Sequence, residues 1–207
     1  MTNEITDTEN ELRASQSTKR RSAAKRLRKL CSVSACPSLQ EALLNELKDP
    51  RTWETQYQMV MAIGHSNCQG SLALLRQTAS QKFEATMVYL ALGDAIFRLS
   101  SKTSSDAAPA IQFIRQKAHP ILIDGALRAI AMLRIVPDQA SIDEILAYAI
   151  ALAPEDGLKF WVAAAAPGWT SAHLDHFLKG CEGSSRTDLK EASALARARK
   201  YKKWNPL

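Results

Sequence analysis

The chain has 207 residues, 46% hydrophobic and 23% charged, with 4 Cys, 8 Gly and 8 Pro. That length suffices for one compact domain or a short array, and so little Gly, Pro and Cys excludes collagen-like, low-complexity and disulfide-scaffold chains. The formal charge of +6 comes from the ends: residues 1–30 hold 8 Lys/Arg against 4 Asp/Glu, 186–207 hold 7 against 2, and 31–185 hold 12 against 15.

No apolar run approaches the ~18 residues of a membrane helix. The opening MTNEITDTENELRAS has neither the basic nor the apolar region of a secretory signal. These features predict a cytoplasmic protein with no membrane contact, whose four cysteines (Cys31, Cys36, Cys68, Cys181) stay reduced.

In chain order, residues 1–15 are polar and acidic and are predicted to form a disordered tail. A basic capping helix follows over 17–32. From there apolar residues recur at helical spacing: Leu39/Leu43/Leu47, Trp53/Tyr57/Val60, Leu72/Leu75/Ala79 and Val88/Leu92/Ala95/Leu99 in the first half. Ile111/Ile114/Ala118, Ile123/Leu127/Ile130, Ile142/Leu146/Ala149, Leu158/Trp161/Ala165, Leu174/Phe177/Leu178 and Leu189/Ala192/Ala196 continue the pattern. A last helix is predicted over 186–203. Asp49-Pro50 supplies an N-cap followed by proline at the first helical position. Ser38…Glu41 and Ser141…Glu144 have capping-box spacing. Pro120, Pro137, Pro154 and Pro167 fall between stripes, and Pro109 fits a first turn begun by Ser105 or Asp106. No segment alternates with period two, so the chain is predicted to be all-α.

Internal similarity refines this. Met59-Val-Met-Ala-Ile-Gly64 aligns with Val88-Tyr-Leu-Ala-Leu-Gly93, and long stripes begin near Trp53, Phe83, Ile121, Leu158 and Asp188. One helical hairpin per ~30–40 residues is a unit that buries its apolar face only by stacking. Asp49-Pro50-Arg51-Thr52-Trp53 followed by Ala62-Ile63-Gly64 resembles a HEAT repeat of the short bacterial kind, and 83–93 follows the same pattern. The resemblance implies an α-solenoid, of the armadillo-type superfamily, with about five stacked antiparallel helix pairs in a single domain over 16–207. Its units would lie near 17–48, 49–79, 83–117, 120–152 and 156–180, closed by basic terminal helices.

Several constellations carry chemistry. Lys19, Arg20, Arg21, Lys25, Arg26, Arg28 and Lys29 put seven cations in eleven residues, wrapped around an apolar strip of Ala23, Leu27 and Leu30. Arg197, Arg199, Lys200, Lys202 and Lys203 interleave with Tyr201 and Trp204. Both patterns suit phosphate contacts, and both also suit solvated caps. Tyr201 and Trp204 can equally pin the tail onto the last repeat. His173-x-x-His176 has helical spacing but no second ligand cluster. Asp94/Arg98 and Asp124/Arg128 read as surface i,i+4 ion pairs. Phe160-Trp161 leads through four alanines to Pro167-Gly168-Trp169; Trp161 is assigned to the core and Trp169 to either core or interface. No phosphate loop, metalloprotease or nucleophile motif is present in the sequence.

A stacked array offers an extended concave wall, and the second helices near 38–48, 68–79, 106–117, 141–152 and 171–180 carry a mixed polar surface. The expectation is a non-catalytic scaffold without cofactor, metal or small-molecule substrate, binding a partner protein through Arg76, Gln77, Gln112, Arg115, Gln116 and Trp169. A regulator, an assembly factor or a toxin-neutralising protein would all fit. The alternative is nucleic-acid binding through the basic ends. Its sharper form is an alkylpurine DNA glycosylase, another HEAT-like family, for which Asp156, Trp161, Trp169 and Asp175 are the candidates, although no motif of that family surrounds them. A lyase subunit built on HEAT-like repeats is a third reading, to which no catalytic residue carries over.

Overall fold

The structure, a computed structural model, describes residues 2–203. Among these residues every regular element is helical, with twelve α-helices joined by short loops and 3-10 turns. The all-α expectation therefore holds. The chain divides into two compact units, Met1–Ser100 and Ser101–Leu207, where a single domain over 16–207 was expected. A stripe pattern tells a helix which face to bury. It does not encode where contacts thin out, and here that point is the polar stretch Ser101-Lys-Thr-Ser-Ser-Asp106.

The first unit holds α1 (Thr2–Glu11), α2 (Ser17–Leu30), α3 (Cys36–Glu46), α4 (Trp53–His65), α5 (Leu72–Ala79) and α6 (Met87–Ser100). Helix α4 packs against α2, α3 and α6, while α5 rests on α6 and α1 on α2. Every residue of α4 from Thr55 to Gly64 is buried, so this helix forms the centre of the unit. Gly64 ends its apolar run for a steric reason: a Cβ there would lie 2.7 Å from the Ala95 Cα of α6. The repeated Ala/Leu-Ile/Leu-Gly pattern thus marks a close helix approach at this position.

Three expectations are corrected in this unit. Residues 1–15 are not a bare tail: α1 packs on α2, and Thr8 and Leu12 are buried. One of the acidic residues that suggested solvation, Glu11, pairs instead with Arg26 of α2. Ser38 does not begin a capping box, because α3 starts at Cys36 behind Ala35. Cys36 and Cys68 are joined as a disulfide, not held as two reduced thiols. Pairing of this kind depends on tertiary proximity across 32 residues, which spacing alone does not reveal. The Asp49-Pro50 start does form, as a 3-10 turn (Pro50–Thr52) leading into α4, with the Asp49 carboxylate accepting the Arg51 N–H at 3.1 Å.

The second unit holds α7 (Ala108–Arg115), α8 (Pro120–Leu133), α9 (Gln139–Ala151), α10 (Leu158–Ala165), α11 (Leu174–Glu182) and α12 (Thr187–Arg197). Helix α10 packs against α8 and α12, forming one layer; α9 packs against α7 and α11, forming a second. Ala163 to Ala166 are all buried, and their small side chains let α10 sit close to its neighbours. Asp138, not Ser141, caps α9: its carboxylate accepts the Ser141 N–H at 2.9 Å. The last helix stops at Arg197, where helix was expected to run to 203. Arg199 adopts a left-handed φ of 53° and the Lys200 N–H turns back to the Leu195 carbonyl at 2.9 Å, a helix stop. Tyr201 then folds onto the unit beside Gly168, with the Arg134 guanidinium 5.0 Å from its ring centre. Trp204 lies outside the described residues.

Candidate functional site

The chain turns sharply at Ala166–Gly168 and delivers Trp169 into the core of the second unit. Trp169 is only 4% exposed, and its indole N–H donates to the Ile135 carbonyl at 2.9 Å. It therefore does not project from the surface, and it reaches solvent only as part of the lining of a groove. Trp161, expected in the core, is the half-buried indole of the two. A hydroxyl-free apolar helix face could not have distinguished them; the free N–H found a carbonyl at the turn, and the sequence does not show that carbonyl.

Trp169 forms part of the floor of a groove of about 290 Å³, together with Ala166, Pro167, Leu174, Leu178 and Ala196. Thr170, Ser171, Asp175, Arg197 and Arg199 form its rim. Two residues chosen for the basic C-terminus and one chosen for the partner face thus meet at one place. Their electrostatics differ. Arg197 bridges Asp175 at 2.7 Å and Glu182 at 2.5 Å, and its hydrogen bond, with that of Lys179, holds the Asp175 carboxyl below the usual range. Arg199, Lys200 and Lys203 are exposed and form no ion pair among the described residues. Lys202 pairs with Glu191 at 2.6 Å. The groove therefore offers an apolar floor beside a cation with no ion pair among the described residues. That combination accepts an apolar side chain flanked by a carboxylate.

A second groove, between the α1–α2 loop and α3, shows the contrast. Its charged lining is already satisfied internally: Arg13 pairs with Glu41, while Arg20 holds Glu46 and donates to the Ala14 and Ser15 carbonyls. Glu46 is 2% exposed at its side chain. The Arg20–Glu46 pair is a largely buried structural link, and the Arg13–Glu41 pair lies exposed beside it.

The α2 cations are mostly structural too, which corrects the picture of a seven-charge anion clamp. Arg20 pairs with Glu46, Arg21 with Glu54 and Arg26 with Glu11, and Arg28 is buried with a bond to the Gln58 side-chain oxygen. Lys19, Lys25 and Lys29 remain exposed with no ion pair among the described residues. Of the expected partner face, Arg76 and Gln77 are exposed on α5 of the first unit, with Arg76 donating to the Ser100 hydroxyl at 3.3 Å. Gln112, Arg115 and Gln116 are exposed on α7 and its end in the second unit. Arg115 forms a two-point pair with Glu144, at 2.8 and 2.7 Å, which lowers the Glu144 pKa.

Two acidic–basic pairs expected on the surface lie largely inside the packing of their units. Asp94 and Arg98 form a buried pair at 2.5 Å, not a surface one. Asp124 and Arg128 depart further. Arg128 is buried with its guanidinium 5.7 Å from the Trp161 ring centre. Asp124 keeps one buried carboxylate oxygen without a hydrogen bond among the described residues. Burial pushes its pKa up to about 6, helped by the Asp156 charge and opposed by Arg128 and Arg186. Tyr148 is raised by burial and by the same two carboxylates. The signal was present in the sequence: Pro120-Ile-Leu-Ile-Asp-Gly-Ala-Leu-Arg128 is apolar on both sides of the pair, so its face points inward. Of the four residues considered for a glycosylase site, Trp169 and Asp175 line the groove described above, while Trp161 lies by Arg128 and Asp156 near Asp124. Trp169 is 4% exposed with its indole N–H held by Ile135, and Asp175 is tied to Arg197 and Lys179. His173 and His176 are exposed, and no metal-holding group of His, Cys, Asp or Glu occurs among the described residues. No described helix is long and apolar enough to cross a membrane.

No protein-family model matches the chain, and no curated protein matches it.

Proposed function

We propose that the chain is a non-catalytic, HEAT-like helical-repeat scaffold that binds a partner protein. The alternating order of packing within each unit supports the repeat reading: α2, α4 and α6 in one row with α3 and α5 beside them, and α8, α10 and α12 in one row against α7, α9 and α11. Stacked antiparallel pairs, about five in all, produce such rows because each pair buries its apolar face on the next. The observation that carries the binding reading is the groove over Trp169, where an apolar floor adjoins Arg199, an exposed cation with no ion pair among the described residues. The occupant is a protein segment presenting an apolar side chain next to Asp or Glu.

A pull-down from the native host tests this. The intact chain is expected to retain one stoichiometric protein at high salt, and Arg199→Glu combined with Leu174→Lys is expected to release it. Retention of the same protein by that variant would overturn the groove as the binding site.

A second reading, nucleic-acid binding, rests on Lys19, Lys25 and Lys29 of α2. Three phosphate contacts predict a log–log salt slope of about −3, lost when the three lysines are changed to Gln. Binding without that slope would count against it.

A further inference from the structure

The Cys36–Cys68 disulfide ties two helical segments whose other anchors lie elsewhere. Cys36 is the first residue of α3, and Cys68 lies in the connection from α4 to α5. The Ser71 hydroxyl donates to the Gln40 side-chain oxygen at 3.3 Å across the same seam. At its other end α3 is held without any covalent link. Glu46 takes Arg20 at 2.6 and 2.9 Å and the Ser17 hydroxyl at 3.2 Å, and its carbonyl accepts from the Gln56 amide at 3.2 Å. Helix α5 has its own support on α6.

We infer that Cys36–Cys68 is a redox-operated clasp. Closed, it fixes the first turns of α3 against the α4–α5 connection. Open, it frees those turns while the Glu46 end stays anchored. Cys36 is half-buried and Cys68 is 2% exposed, so the attackable sulfur is that of Cys36. A thiolate of a dithiol reductant bonds to Cys36 Sγ, the disulfide breaks, and Cys68 leaves as a thiolate and takes a proton. The second thiol of the reductant then displaces Cys36 from the mixed disulfide, so the dithiol is oxidised as the pair gains two electrons. Gln40 and Glu41, in the first turns of α3, hold their position against the α4–α5 connection only while the clasp is closed. The clasp lies wholly in the first unit and the groove over Trp169 in the second, so the two proposals fail independently.

The test uses the full chain purified without reductant. Maleimide mass tagging under denaturing conditions is expected to modify two cysteines before reduction, Cys31 and Cys181, and all four after it; four tagged cysteines before reduction would overturn the clasp. Hydrogen exchange followed by mass spectrometry then compares oxidised and dithiol-reduced protein. Exchange over 36–42 and 68–72 is expected to accelerate about tenfold on reduction, with α4 and the second unit unchanged. Cys31→Ser is expected to respond as the original chain does, and Cys36→Ser with Cys68→Ser to resemble the reduced form. Equal exchange in both forms, or acceleration throughout the chain, would overturn the local clasp, and reduced original protein decides the matter even where a variant fails to fold.

Discussion

Gly64 of α4 faces Ala95 of α6 so closely that a Cβ on Gly64 would meet the Ala95 Cα at 2.7 Å and its Cβ at 2.8 Å. The obstruction is partly backbone, so relief requires the two helices to separate. Gly64→Ala is expected to lower stability by about 2 kcal/mol, within the range for overpacked cores. Ala95→Gly in the same chain removes only the Cβ contact and should recover part of the loss. Gly70 provides the control, because a Cβ there meets nothing within 4 Å and its φ is not positive. Urea unfolding midpoints of the three variants check this, and an unchanged midpoint for Gly64→Ala would count against the close approach.

Two arginines, Arg20 of the basic N-terminal run and Arg115 of the expected partner face, should behave oppositely. Arg20 holds Glu46, whose side chain is 2% exposed, whereas Arg115 holds Glu144 on open surface. Arg20→Met leaves a buried carboxylate without its cation and is expected to cost about 3 kcal/mol. Arg115→Met should leave the unfolding midpoint where it is, since an exposed pair is screened by water and salt. Comparable midpoints for both variants would show that the Arg20–Glu46 contact is not a buried pair.

The elements that were legible in the sequence are those governed by local rules. Helical periodicity, the Asp49-Pro50 start and the Pro109 turn all depend on neighbours a few residues away, and they stand as read: the Asp106 carboxylate accepts the Ala108 N–H at the start of α7. What was not legible depends on partners far along the chain. Glu46 reaches Arg20 across 26 residues, Trp169 finds Ile135 across 34, and Cys36 joins Cys68 across 32. Charge counting treated Arg20, Arg21 and Arg26 as free cations because nothing local distinguishes them from Lys19, Lys25 and Lys29. The groove was half visible: Trp169, Arg197 and Arg199 were each selected, but only the helix stop after Arg197 brings Arg199 back toward the turn at Pro167.

The C-terminal segment is held by a contact that one methyl group would disturb. A Cβ on Gly168 would lie 2.8 Å from the Tyr201 hydroxyl and 2.7 Å from the Val136 Cγ2. Both obstacles are ends of side chains, and Val136 is 41% exposed, so the fold can yield without unpacking. Gly168→Ala is expected to leave the melting temperature within a few degrees of the original, since surface adjustments shift stability by only about 0.5 kcal/mol. It should nevertheless detach Tyr201 and speed tryptic cleavage at Arg199 and Lys200. Cleavage at the original rate would show that Tyr201 stays docked.

Asp124 gives the chain a pH dependence of unusual sign for a carboxylate. Its folded pKa, about 6, exceeds the ordinary 3.8, chiefly because of burial and then because of Asp156. As pH rises from about 4 to about 6, the unfolded chain loses this proton before the folded chain does, so the folded state is progressively disfavoured. A carboxyl lifted from 3.8 to about 6 corresponds to at most ~3 kcal/mol against the ionised form, and partial water access reduces this to about 1–2 kcal/mol. Asp138, Asp143, Glu144, Asp175 and Asp188 are lowered by their hydrogen bonds and act in the opposite sense. The original chain's own profile therefore mixes the two signs, and only the difference from a variant isolates Asp124. Asp124→Asn is expected to match the original near pH 4 and to be more stable by about 1–2 kcal/mol at pH 7.5. Urea midpoints at the two pH values measure it, and an Asn variant equally or less stable at pH 7.5 would mean that the Asp124 carboxylate is adequately solvated or paired.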